Sequence, residues 1–183
     1  MDLFSSGDFI KDIKSFKKEY KKHLNIQDRV FNLAYGSATS TGGVLFVDQP
    51  YHGGKSFREP SDIKLQECIA RYNIKNELII YCHPKTGNIS PNNIKDLSPW
   101  IQRLTNIILP KLIVLLGEEP VFCYLKKKIL IRENHGKIIE YYNNIPLFLT
   151  FPMIYILNSK GFEDKEFKNT LLDRDWNTLK SYA

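Results

Sequence analysis

The sequence predicts an α/β fold built on a parallel sheet covered by helices on both faces. Three observations carry this expectation. Nearly continuous apolar runs of strand length recur at 44–47, 78–82, 111–117 and 145–150, the pattern of strands buried on both sides. The stretches between them hold apolar residues at helical spacing, and strands alternating with helices argue for a parallel arrangement. At 183 residues, 43% hydrophobic and 25% charged, the chain suits one domain with a sizeable core.

The elements follow in order. Phe9, Ile10, Ile13, Phe16, Tyr20 and Leu24 recur at helical spacing, so residues 8–24 form an amphipathic helix. Its other face carries Lys11, Lys14, Lys17, Lys18, Lys21 and Lys22, diluted only by Asp12 and Glu19. A linker ends in the Gly/Ser/Thr-rich stretch Gly36 to Gly43, before the first strand at 44–47. Ser61 is a candidate N-cap for a helix over 62–73 with Leu65, Cys68, Ile69 and Tyr72 on one face. Leu78 to Cys82 is the second strand. Ser90-Pro91 opens a helix, a cap followed by proline at the first helical position; its apolar face runs Ile94, Leu97, Ile101, Leu104 and Ile108. Lys111 to Gly117 is a third strand, and a short helix over 118–126 leads to a second basic cluster, Lys126, Lys127, Lys128 and Arg132. Residues 137–142 and 145–150 are strands joined by the turn-forming pair Asn143-Asn144. A last helix spans 163–181, with Phe167, Leu171, Leu172, Trp176 and Leu179 facing inward.

Composition excludes some functions. No segment approaches the roughly 18 consecutive apolar residues of a membrane span, and the lysine-rich first 24 residues lack the apolar core of a secretory signal. The formal charge of +6 and pI of 9.1 suit polyanionic partners. Three cysteines, none in a CxxC pair, point to reduced thiols in a cytosolic protein. No ligand-pair spacing supports zinc, so neither a metal nor a cofactor is expected. The abundance of lysine, asparagine and isoleucine looks like that of an AT-rich genome such as a phage or an endosymbiont; for a viral chain the compartment is the host cytoplasm.

The stretch Val44-Leu45-Phe46-Val47-Asp48-Gln49-Pro50-Tyr51-His52-Gly53 concentrates chemistry. In an open α/β sheet, ligands sit outside the carboxyl ends of the strands. An apolar strand that stops in an acid, an amide, a proline, a tyrosine and a histidine looks like the edge of a site.

Here the chain resembles the uracil-DNA glycosylase superfamily, most closely its family 4 branch, from about Arg29 to the C-terminus. Family members carry a glycine-containing segment, an apolar strand and a Gly-Glu-Gly/Ala-Pro-Gly loop; this chain has Tyr35-Gly36, then Val44 to Val47, then Asp48-Gln49-Pro50. Pro50-Tyr51-His52-Gly53 matches the second half of the family 1 loop Gly-Gln-Asp-Pro-Tyr-His-Gly residue for residue. Pro110 to Gly117 is similar to the family 4 strand Pro-Lys-Val-Ile-Val-Ala-Leu-Gly, and His135-Gly136-Lys137 with Asn144 to Phe151 is similar to the segment before the catalytic histidine. The resemblance implies a single α/β/α sandwich with a parallel four-stranded sheet over 29–183, and a basic helix in residues 1–28 packed on it.

It also implies roles. Asp48 falls at the glutamate that positions water, Gln49 at the family 1 aspartate, and Pro50, Tyr51, His52, Tyr81 and Pro152 line the base pocket. Tyr51 matches the tyrosine that excludes the thymine methyl. Pro152 stands where the family has the histidine that stabilises charge on the uracil O2, and Tyr81 where an asparagine reads the uracil edge; a phenol cannot make the paired contact of an amide. Three scattered cysteines cannot supply the four ligands of the family 4 iron–sulfur cluster.

The expected function is therefore a DNA-binding relative, catalytically degenerate, acting in DNA replication or repair beside a replication or repair protein. The alternative is an active, divergent uracil-DNA glycosylase. Lys14, Lys18, Lys126, Lys127 and Lys128 are candidate contacts to DNA, against the simpler reading as solvated faces. Met153 and Ile154, with Tyr155, follow the position from which glycosylases insert an apolar wedge; packing against the sheet is the alternative. Asp48 is otherwise a helix or loop cap, His52 and His83 otherwise ordinary loop residues near the rim, and His135 a surface residue.

Overall fold

The computed structural model describes residues 6–23, 34–38, 40–48, 60–82 and 91–183. In chain order the elements are α1 (Ser6–His23), β1 (Ala34–Gly36), β2 (Val44–Asp48), α2 (Pro60–Arg71), β3 (Glu77–Tyr81), α3 (Pro91–Ile108), β4 (Leu112–Leu116), α4 (Glu118–Leu125), α5 (Ile131–Asn134), β5 (Lys137–Tyr142), β6 (Ile145–Thr150), α6 (Met153–Leu157) and α7 (Phe162–Lys180).

The fold is α/β, with a mostly parallel mixed sheet flanked by helices. Four strands, β3-β2-β4-β6, are mutually parallel. Two additions make the sheet mixed. Strand β5 runs antiparallel to β6, with a register irregularity between Ile138 and Glu140, and the three-residue β1 pairs antiparallel with β3 at the other edge. The sheet is thus wider than four parallel strands. The β5–β6 pair follows from its turn: Asn143 and Asn144 both take positive φ (49° and 67°), the backbone a two-residue hairpin needs and asparagine tolerates.

Alternation along each strand separates two cores. Leu45, Val47, Ile80, Ile113, Leu115, Leu147 and Leu149 face α1, α3 and α4. Val44, Phe46, Ile79, Val114, Leu116 and Phe148 face α2, α6 and α7. On the first side, Phe16 and Tyr20 of α1 meet Trp100 of α3 at ring distances of 5.8 and 5.4 Å. On the second, Trp176 of α7 stacks on Phe46 of β2 at 5.7 Å.

Several expectations change. Helix α2 starts at Pro60 rather than after Ser61, because proline fits the first helical position without losing a bond; Ser61 is buried inside the first turn. Residues 34–36, expected as linker, form β1. Phe167, expected inward, is 60% exposed, because Lys168 takes the inward position, its ammonium 2.9 Å from Asp164 and over the Tyr155 ring. The predicted cap Ser90 lies outside the described residues.

Candidate functional site

The carboxyl ends of the four parallel strands meet in register: Tyr81 pairs with Asp48, Asp48 with Leu116, and Leu116 with Thr150. Strand alternation puts all four side chains on the side of α2, α6 and α7. Neighbouring strands lie about 4.8 Å apart, so Asp48 and Thr150 stand about 10 Å apart across Leu116. Three of four positions in this row are polar, directly beyond rows that are wholly apolar.

Asp48 ends β2 and is 3% exposed; its carbonyl accepts the Cys82 N–H at 2.9 Å. Tyr81 is buried, and its hydroxyl donates to the carboxylate of Asp62 on α2. Asp62 is buried as well. The sequence held a sign of it: Asp62 sits in the inward stripe Asp62-Leu65-Ile69-Tyr72, an acid at an apolar position.

At the other end, His135 is not a surface residue; its side chain is 9% exposed. Its Nδ1–H donates to both oxygens of Asp175 at 2.8 and 2.9 Å, and the Thr150 hydroxyl donates to Asp175 Oδ2 at 2.8 Å. Arg174 Nη2 donates to His135 Nε2 at 3.3 Å. A guanidinium only donates, so in this contact Nε2 is the acceptor while Nδ1 donates to Asp175. Gly136 permits the approach: its φ is +72°, and a Cβ there would lie 2.5 Å from Asp175 Oδ1. Burial pushes the Asp175 carboxyl above the usual carboxylate range, while the hydrogen bonds from His135 and Thr150 pull it back. The imidazole packs 4.5 Å from the Phe151 ring, which stacks on Tyr155. Asp175 too was marked in the sequence, lying in the inward series Leu172-Asp175-Trp176-Leu179.

The other expected residues are placed as follows. Pro152 is buried and caps α6 at φ −68°. Met153, first residue of α6, is fully buried in the core under α2 and α7, so it has no surface to offer as a wedge; Ile154 is half-buried. Lys14 and Lys18 are exposed on α1. Lys126 ends α4 in the left-handed region, Lys127 pairs with Glu140 at 3.3 Å, and Lys128 is exposed. Gln49, Pro50, Tyr51, His52 and His83 lie outside the described residues.

On the other side of the sheet, Cys82 hydrogen-bonds Cys123, and burial pushes the Cys82 thiol well above its usual range. Cys68, Cys82 and Cys123 are free and buried. Among the described residues no group of three or more His, Cys, Asp or Glu side chains is placed to hold a metal ion, and no helix is long and apolar enough to cross a membrane. The arrangement offers buried carboxylates in two settings, one bonded by a phenol and one by an imidazole and a hydroxyl. The chain matches no protein-family model and no curated protein.

Proposed function

We propose that this chain is a uracil-DNA glycosylase-like DNA-binding protein that has lost excision chemistry and serves as an accessory factor in DNA replication or repair, with DNA and a replication or repair protein as its partners. On this reading the β3-β2-β4-β6 strands are the four-stranded sheet of a glycosylase sandwich, to which β1 and β5 are additions.

The observation that carries the reading is the polar row at the carboxyl ends. Asp48 stands where the resemblance expects the acid, yet at 3% exposure it is nearly cut off from the water it would position. Tyr81 commits its phenol to Asp62, and Pro152 has no donor for a departing base. Hydrolysis of the glycosidic bond adds water at C1′ while uracil leaves as an anion; losing one donor to such an anion typically costs 10²–10³ in rate. DNA binding needs none of these groups.

One observation favours the active alternative. The His135 ring lies 4.5 Å from that of Phe151, the residue before Pro152, so an imidazole oriented by Asp175 stands beside the position that lacks one.

Excision from single- and double-stranded oligonucleotides carrying one uracil, at enzyme excess and read by alkaline cleavage, separates the two. The expected result is no cleavage together with salt-sensitive binding of the same DNA. Cleavage abolished by Asp48→Asn and by His135→Gln would establish the active glycosylase. Neither cleavage nor binding would overturn both.

A further inference from the structure

Helix α1 holds six lysines against three acids, and it divides them by face. Lys11, Lys14, Lys18 and Lys22 are all exposed. Their spacing of three, four and four residues puts them on one stripe, about 16 Å long at 1.5 Å per residue. The opposite stripe is used up: Phe16 and Tyr20 are 1% and 0% exposed, packed on Trp100 of α3. Among the described residues none of the four lysines has an ion pair. The helix's own Glu19, by contrast, is held 2.7 Å from Arg103 of α3, which offsets its charge and leaves the stripe positive.

We propose that this stripe is a track for the phosphodiester backbone of duplex DNA. The inference rests on the DNA-binding reading above and adds where and in what form the DNA is held. A basic amphipathic helix also suits a membrane surface, but insertion there requires a free apolar face, and the aromatic part of that face of α1, Phe16 and Tyr20, is buried against α3. Single-stranded DNA is gripped by aromatic platforms that stack bases; the stripe displays none. A straight series of flexible point charges matches the sequence-independent term of duplex binding. The row holding Asp48 faces the other side of the sheet, so this surface supplies affinity without reading a base.

The test is the salt dependence of binding to a short labelled duplex without uracil, followed by fluorescence anisotropy. The proteins are the unmodified chain, a variant with Lys11, Lys14, Lys18 and Lys22 changed to Gln, and a charge-matched variant with the exposed Lys75, Lys160, Lys165 and Lys180 changed to Gln. Circular dichroism confirms that each is folded, and Lys14→Gln/Lys18→Gln is a milder variant for the same comparison. Each phosphate contact contributes about 0.9 to the slope of log K against log salt, so the α1 variant loses about 3.6 of slope; between about 50 and 200 mM salt the unmodified chain then loses on the order of 100-fold more affinity than the variant. The charge-matched variant keeps its slope. Equal slopes for the chain and the α1 variant would overturn the track while leaving DNA binding intact. Equal losses in both quadruple variants would overturn it in favour of net charge. Tighter binding to the matching single strand would overturn the duplex assignment, and binding to phosphatidylserine vesicles in place of DNA would overturn the choice of partner. No binding of any DNA by the unmodified chain would sink the DNA-binding reading itself, and the track with it.

Discussion

The two ends of the polar row solve one problem differently. At the β3 end, the carboxylate of Asp62 is bonded by the phenol of Tyr81. At the β6 end, Asp175 accepts from both His135 and Thr150, and Arg174 closes the series on the far side of the ring. Both acids are buried to about the same degree, 1% and 0% exposed, so the difference lies in their partners. A buried charge is tolerable only when its hydrogen-bonding capacity is met. The phenol ties the end of β3 to α2, whereas the imidazole and the hydroxyl tie α7 to the turn before β5 and to the end of β6. The β6 end is therefore a structural junction as well as a candidate site.

The largest effect should come from removing the acid at that junction. Asp175→Ala leaves the His135 Nδ1–H and the Thr150 hydroxyl without their acceptor; each orphaned donor costs about 1–3 kcal/mol, so the loss should exceed that of a single hydrogen bond, read as a lower urea midpoint. A loss comparable to that of an exposed substitution would show that the junction carries no stability. Tyr81→Phe is the matching change at the other end. It takes the phenolic donor from Asp62 and should cost about 1–3 kcal/mol. Equal losses at the two ends would erase the contrast between them.

The smallest effect is a slope with pH. Because burial holds the Asp175 carboxyl above its usual range, the folded chain binds that proton more tightly than the unfolded chain. The resulting stability is fully present below the ordinary carboxylate value and is lost as pH rises through the raised one. Compared with Asp175→Asn, the unmodified chain should lose stability across that window in acid denaturation titrations. A difference that grows with rising pH would mean that the hydrogen bonds outweigh burial.

Much of the architecture was legible because it rests on local chemistry. The apolar runs at 44–47, 78–82 and 111–117 are strands, and Asn143-Asn144 is the turn between β5 and β6. Helices α1, α3, α4 and α7 lie within two residues of their expected bounds. What escaped was short or depended on a distant neighbour. The three residues of β1 are too few for an alternating pattern and exist because β3 offers an edge. Helices α5 and α6 have four and five residues, below the length at which a helical period shows. Of the site, Asp48 and Tyr81 were anticipated at the ends of their strands, whereas Asp62, Asp175 and the burial of His135 were not.

By itself, the sequence determined the strands, the longer helices, the hairpin turn and the lysine-bearing face of α1, since period, turn chemistry and charge act within a few residues. Only the tertiary structure decided which polar residues were buried together. Asp175 and His135 are 40 residues apart, and no local rule brings an acid of α7 against an imidazole before β5. Lys168 took the inward place expected of Phe167 for the same reason: Asp164 and the Tyr155 ring compensate its charge, and that compensation exists only once α6 and α7 have packed.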